Sequence, residues 1–344
     1  MATLRNLLVL SASFGVIACA ADSSLLNLVM PDAQVLFGAN VERIVQSQIG
    51  QEIGSQIQGK FPEAQQILQK TGFNPSRDVK EVLIAATAKG QNGPALCLVR
   101  GSFDSGKVQA AIASTGRTPQ MYQGVQILNN PSQSNGAFAF LDGTIAVGGD
   151  LDQVRAAIRR RANHTVLAAQ LASQVTAISD RYDIWVISAA SLGKMADSIS
   201  SPQMGQMGDM VKTIDQVSGG VKFSANLDLG VELTTHTEKD AETLRDALQL
   251  LVSMAAASQK DATALDLNAL KLTADAKTVR VAFVVTGEQL KKTYELQMAR
   301  MQHAGNEASK DTSITLAKPA VKDTGITIQS SERDMGTVVL SSTK

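Results

Sequence analysis

The order strand, strand, helix, strand occurs twice along this chain, from Val79 to Leu128 and again from Gly220 to Val285. In the first stretch Val79 to Ala88 and Pro94 to Phe103 read as strands joined through Lys89-Gly90-Gln91-Asn92-Gly93. Ser105 to Ser114 then has helical spacing and Gln120 to Leu128 is extended again. In the second, Val221 to Leu229 and Val231 to Thr237 make a hairpin and Ala241 to Ala256 a helix. Leu270 to Ala274 then pairs with Val279 to Val285 about Asp275-Ala276-Lys277. Hairpins run their strands antiparallel, so helices set between them fold back over the sheet rather than crossing a parallel one. The expected class is therefore α+β, with two related lobes of mostly antiparallel sheet, from an internal duplication, and helices packed on one face. The repeat distance, Val79 to Gly220, far exceeds the roughly 20–50 residues of a solenoid unit, leaving lobes whose sheets face each other or join edge to edge.

Asp183 to Ala190 repeats the character of Ala33 to Val41, a strand leading straight into a helix, and so marks a restart. This places a first lobe at residues 21–178 and a second at 179–302. Within the first, Ile44, Val45, Ile49, Ile53 and Ile57 predict one helix from Arg43 to Gln58, followed by another from Glu63 to Lys70 closed by Gly72. Ala137 to Gly148 turns at Asp142-Gly143, and Leu151 to Arg161 and Val166 to Val175 are helical. Within the second, Met210 to Val217 and Glu288 to Met301 are further helices, and Leu244, Ala247, Leu248, Leu251, Val252 and Ala255 share one face of the strongest. Residues 303–344 are polar and predict a largely disordered tail. Within it, Ile326-Thr327-Ile328 and Val338-Val339-Leu340 could pair as a short hairpin.

Residues 1–20 carry Arg5, an apolar run from Leu7 to Ile17 and then small residues, the layout of a secretory signal rather than a membrane span. Two processing routes stay open. Ala18-Cys19-Ala20 fits cleavage before Ala21 and a soluble exported protein, whereas Val16-Ile17-Ala18-Cys19 fits a lipobox that would lipidate Cys19 and tether the chain. No later run is long and uncharged enough to span a bilayer, and Cys97, among Leu96 and Leu98, is expected to be a buried thiol of raised pKa.

The opening Asp22-Ser23-Ser24-Leu25-Leu26-Asn27-Leu28-Val29-Met30-Pro31-Asp32-Ala33, with Gly38-Ala39-Asn40-Val41-Glu42 after it, resembles a group of exported proteins from Acidobacteria-type soil bacteria. Ala139-Phe140-Leu141-Asp142-Gly143 and Gly219-Gly220-Val221-Lys222-Phe223 extend the likeness over most of the chain. That group brings no known activity, so the resemblance implies provenance and not mechanism.

Lys plus Arg balances Asp plus Glu, 32 against 32, which removes the net field that draws a chain to nucleic acid. Aromatic residues are only 4%, so stacking platforms for bases or sugars are scarce and the cores must be aliphatic. The one basic cluster, Arg159-Arg160-Arg161, reads as the solvated C-terminal end of a helix. Gly101 to Val108 nearly matches a phosphate-binding loop but ends on Val108 where a hydroxyl must hold magnesium, so Asp104 or Ser105 is read as a helix cap. Ser191-Leu192-Gly193-Lys194 and Lys70-Thr71-Gly72 echo penicillin-interacting enzymes in the wrong order. His164, His236 and His303 are too few and too scattered for a metal site or a catalytic triad.

Elimination leaves no catalytic, cofactor-binding or metal-ligating residues to name. The site candidates are Cys19 for lipidation and Met204, Met207 and Met210 for an apolar groove, against core filling or a loop for the same methionines. The expected function is a non-catalytic exported protein that binds an unknown protein or small apolar ligand through its lobe interface or a sheet edge. The alternative is a periplasmic or tethered carrier of an apolar molecule such as a lipid, and a hydrolase comes third.

Overall fold

Among the described residues, twelve strands join in one sheet in which every neighbouring pair is antiparallel. The computed structural model describes residues 23–57, 71–87, 93–113, 118–129, 136–163, 167–189, 191, 210–258, 267–293 and 295–296. All of them fall in one compact unit that ends at Leu296. The strands are β1 (Val35–Asn40), β2 (Val79–Ala86), β3 (Ala95–Gly101), β4 (Thr118–Tyr122), β5 (Val125–Asn129), β6 (Gly136–Phe140), β7 (Ile145–Asp150), β8 (Ile184–Ser188), β9 (Ile214–Phe223), β10 (Asn226–Thr235), β11 (Lys271–Asp275) and β12 (Thr278–Thr286). Their order is β11-β12-β10-β9-β8-β1-β2-β3-β7-β6-β5-β4. Because β1 bonds to β2 on one side and to β8 on the other, the sheet passes residues 178 and 179 without a break.

The helices are α1 (Ser23–Leu26), α2 (Val41–Gln46), α3 (Gln48–Ile57), α4 (Pro75–Asp78), α5 (Ser105–Ala113), α6 (Leu151–Ala162), α7 (Ala169–Arg181) and α8 (Glu238–Ser258), and residues 287–293 after β12 are helical where the helix from Glu288 to Met301 is expected. Strand alternation assigns the helices that pack into the cores to a face. Leu36, Leu83, Leu96, Leu98, Ala139, Val147, Trp185 and Ile187 point one way and pack with Leu25 and Leu28, with Val154, Ala157 and Ile158 of α6, and with Val175 and Ile178 of α7. Their neighbours in the same strands point the other way. Val99, Phe138, Phe140 and Ala146 pack there against Val108 of α5, and Phe103 stacks on Phe140 at 5.3 Å between ring centres. On that second face of β9, β10 and β12, Val217, Leu233 and Val279 meet Ala241, Leu244 and Leu248 of α8.

Helices therefore cover both faces, not one as expected. The reason is visible in β7, where Ile145, Ala146 and Val147 are buried in succession, the signature of a strand covered on both sides. Three other expectations change. The single helix from Arg43 to Gln58 is two, broken at Ser47, whose Oγ donates to the Ile44 carbonyl and accepts from the Gly50 amide. The expected helix from Met210 to Val217 gives way to β9 at Ile214, and the hairpin expected from Val221 to Leu229 and Val231 to Thr237 turns at Ser224-Ala225 instead, so Gly220 and Gly230 both lie inside strands. Gln120 to Leu128 is not one strand but β4 and β5, folded at Gln123 and Gly124, both of positive φ. The expected turn at Asp275-Ala276-Lys277 is present, with Ala276 at positive φ.

Asp142 organises the turn between β6 and β7. Its Oδ1 accepts from the amides of Thr144 and Ile145 at 2.6 and 2.9 Å and from the Thr144 hydroxyl, while Oδ2 meets Arg161 at 2.5 Å. Burial pushes this carboxyl up, but the Thr144 and Ile145 hydrogen bonds and the Arg161 charge outweigh it and hold Asp142 below the ordinary carboxylate range. Asp142→Ala should cost about 1–3 kcal/mol in urea unfolding at pH 7, the penalty of stranding those donors. A depressed folded value means the contribution is full above an ordinary carboxyl pKa of about 3.9 and fades as pH falls through the folded value, so variant and parent should converge in acid.

Candidate functional site

On the face that carries Trp185, a trough runs across the four strands β9, β10, β12 and β11, with α7 at its flank. Its residues alternate as strand geometry requires: Gln216, Ser218, Gly220 and Lys222 from β9, Asp228, Gly230, Glu232 and Thr234 from β10, Arg280, Ala282 and Val284 from β12. Two cavities open in it. One of about 320 Å³ lies over Gly230, Ala282 and Val284, and one of about 220 Å³ lies between α7 and β9. Arg181, Tyr182 and Glu232 line both.

Tyr182 sits where it does because two glycines leave it room. A Cβ on Gly220 would overlap the base of the Tyr182 side chain, and one on Gly230 would overlap its hydroxyl. Around this ring the charges are paired in series. Arg181 Nη1 lies 3.0 Å from Glu232 Oε1 and its guanidinium stands 5.2 Å over the Tyr182 ring; Arg280 meets Glu232 at 3.6 Å and Asp275 at 3.1 Å. The hydrogen bond to Glu232 is the largest cause raising Arg181 above its ordinary value, so this cation is fixed in charge. The floor is apolar by contrast, since Ala282 is exposed and Val284 is 45% exposed. An apolar floor with a few charged groups at its rim is the make-up of a recognition surface.

The residues named from sequence do not gather here. Cys19, Met204 and Met207 lie outside the described residues, as do residues 1–20, His164, His303, Lys194 and the tail at 303–344. Met210 packs with Ile214 and Leu244 as core filling. Asp104 caps α5, its Oδ1 accepting from the Lys107 amide at 3.2 Å, and Val108 is buried among phenylalanines, so the loop resembling a phosphate-binding one is a helix start. Thr237 and Asp240 exchange side-chain-to-amide bonds at 3.1 Å each, a capping box at the matching start of α8. Ser191 Oγ donates to the Ile214 carbonyl, and His236 pairs with Asp215 at 2.8 Å on the half-exposed surface. Cys97 is free, and burial pushes its thiol up.

The triple arginine ends α6 as expected, with Arg159 and Arg161 exposed, but Arg160 departs from the solvated reading. Arg159 donates to the Tyr122 hydroxyl, Arg160 is 9% exposed and donates twice to the Leu28 carbonyl, and Arg161 donates to the Leu141 carbonyl and to Asp142. Sequence reasoning also passed over Arg181, Tyr182, Glu232 and Arg280. The signal that could have found them is the spacing of Gly220 and Gly230, which a hairpin brings face to face.

No protein-family model matches the chain, and no curated protein does. Among solved structures, crystal form I of TP0453 is similar at a TM-score of 0.47 and 10% identity, covering 81% of this chain and 99% of that one. Crystal form III gives 0.47 at 8% identity over 78% and 96%, and crystal form IV gives 0.43 at 9% over 77% and 94%.

Proposed function

We propose that this is an exported, non-catalytic binding protein whose recognition surface is the trough across β9, β10, β12 and β11. One observation carries it: on one face of these four strands two cavities meet at Arg181, Tyr182 and Glu232. Held charges around an exposed apolar floor suit a partner polypeptide that offers an apolar side chain to Ala282 and Val284 and polar groups to the rim. Export rests on the layout of residues 1–20, and a tether at Cys19 would keep the trough at a membrane surface. No helix of the described residues is long and apolar enough to cross a bilayer.

The half-length unit is part of this proposal. β1-β2-β3-β7-β6 and β8-β9-β10-β12-β11 follow the same order outward from the β1–β8 seam, α5 and α8 follow the third strand of each on the same face, and β4 and β5 are then an extra hairpin in the first copy. The trough lies in the second copy, where the helical segment at residues 287–293 follows β12 as α6 follows β7 in the first.

A photoreactive residue placed at Ala282 in the natural host should give a discrete protein adduct, and one placed at Gln249 on α8 should not. Native mass spectrometry after mild extraction is the second arm. A lipid adduct there, with no protein adduct from Ala282, would replace the partner-binding assignment with the carrier.

A further inference from the structure

Away from the trough, a cavity of about 390 Å³ opens at the end of α6, lined by Ser24, Asn27, Asp142, Thr144, Arg160 and Arg161 among others. Its wall holds two cations and one acid. Arg161 and Asp142 satisfy each other at 2.5 Å. Arg160 has no such partner. Its Nε and Nη2 both donate to the single Leu28 carbonyl, at 3.0 and 2.8 Å, and no carboxylate lies within ion-pair distance of it among the described residues. A guanidinium has five N–H groups, so three of them have no acceptor among the described residues. Burial is the main cause that lowers Arg160 from its ordinary value, followed by the charge of Arg159, and Asp32 offsets these only from a distance. The carbonyls at the C-terminal end of α6 ease the positive charge, but they are not a counter-ion.

We propose that this cavity binds a phosphate group, held by the Nη1–Nη2 edge of Arg160, the edge not taken by the Leu28 carbonyl, with Asn27 at the mouth. The assignment is independent of the trough and of its partner. A planar fork matches a tetrahedral oxyanion with two parallel hydrogen bonds, and the Asn27 side-chain amide, which makes no hydrogen bond among the described residues, can supply another donor. The volume exceeds one phosphate, leaving room for whatever the phosphate is esterified to. Ser24 and Asn27 follow the expected processing site at Cys19 or Ala21 by only a few residues, so a headgroup phosphate of an anionic lipid and free phosphate are both within reach of the same chemistry.

The test uses the processed full-length chain. Calorimetric titration with inorganic phosphate should show saturable binding, weakened about tenfold by Asn27→Asp, which places a like charge at the mouth, the loss expected for one charge-assisted hydrogen bond. Arg160→Lys keeps the charge but loses the fork and should weaken binding likewise. Co-sedimentation with phosphatidylcholine vesicles, with and without phosphatidylglycerol, separates the sources. Retention only on the phosphatidylglycerol vesicles, lost in Asn27→Asp, assigns a headgroup; calorimetric binding without retention assigns free phosphate. Absence of binding in both assays, or equal binding by parent and both variants, overturns the proposal. Asn27→Asp lies on the half-buried rim, so its unchanged thermal midpoint keeps a null result from being a folding failure.

Discussion

Trp185→Ala should destabilise the protein by about 3–5 kcal/mol, the range for deleting a large aromatic from a packed core, and lower the thermal midpoint by on the order of 10 °C. Trp185 is 3% exposed and belongs to β8, the strand that bonds to β1 and so links the two halves of the sheet. Its indole lies across Gly38 of β1, where a Cβ would overlap the ring. Gly38→Val should therefore cost about 1–3 kcal/mol by overpacking. The two changes are not independent, because a valine at 38 fills part of the hole left by the indole. The double variant should be less destabilised than the sum of the singles, by about 1 kcal/mol or more in a urea-unfolding cycle. Strict additivity would mean that Gly38 is not the seat of the ring.

Much of the strand and helix order was legible, and for physical reasons. Asp142-Gly143 and Asp275-Ala276-Lys277 announce turns through local chemistry, and Val79, Leu83, Ala85, Leu96 and Leu98 alternate as a half-covered sheet must. The strand character of Ala33 to Val41 and of Asp183 to Ala190 likewise placed β1 and β8, though not that they would pair with each other, since register between distant strands is set by packing. Glycine was the main source of error. Gly219, Gly220 and Gly230 carry the same local signal whether they break a strand or clear space over it, and only the position of Tyr182 decides between the two. The Gln123-Gly124 turn was missed because glutamine is not a residue that advertises positive φ.

Tertiary context also settled what periodicity alone could not. Leu251 shares the expected apolar face of α8 with Leu244 and Leu248, yet it is 41% exposed. Conversely, Arg159, Arg160 and Arg161 looked like one solvated group. Consecutive helical residues point about 100° apart, so three in a row cannot all face water on a helix packed along one side. That geometry was available in the sequence, but it lines Arg161 up with Val154, Ala157 and Ile158, and only the packing of Leu28 against the helix end buries Arg160. Nothing local identified the trough, because Arg181, Glu232 and Arg280 are brought together only by the pairing of β10 with β12 and the end of α7.

Asp183→Ala should be as damaging as the loss of the tryptophan, about 3–5 kcal/mol, because it strands a cation rather than opening a cavity. The Asp183 side chain is 5% exposed. One oxygen lies 2.9 Å from Arg43 Nε and the other accepts from the Phe223 amide at 2.8 Å, while the Asp183 backbone joins Asn40 on one side and Val221 on the other. Arg43 in turn donates to the carbonyls of Ser179 and Tyr182, at 2.6 and 3.2 Å, where α7 ends. One carboxylate thus fastens α2, the end of α7 and β9 to the start of β8, next to the seam with β1. Removing it leaves a partly buried guanidinium without its counter-charge and an amide without an acceptor. Asp183→Asn retains an acceptor for the amide and should recover about half of the loss, whereas Arg43→Met in the Asp183→Ala background removes the stranded charge and should restore stability relative to Asp183→Ala alone. A double variant no more stable than Asp183→Ala would show that the damage comes from the Phe223 amide and not from the ion pair. Hydrogen exchange reads the two apart, since loss of the amide acceptor exposes β9 at Phe223 while loss of the pair frees α2.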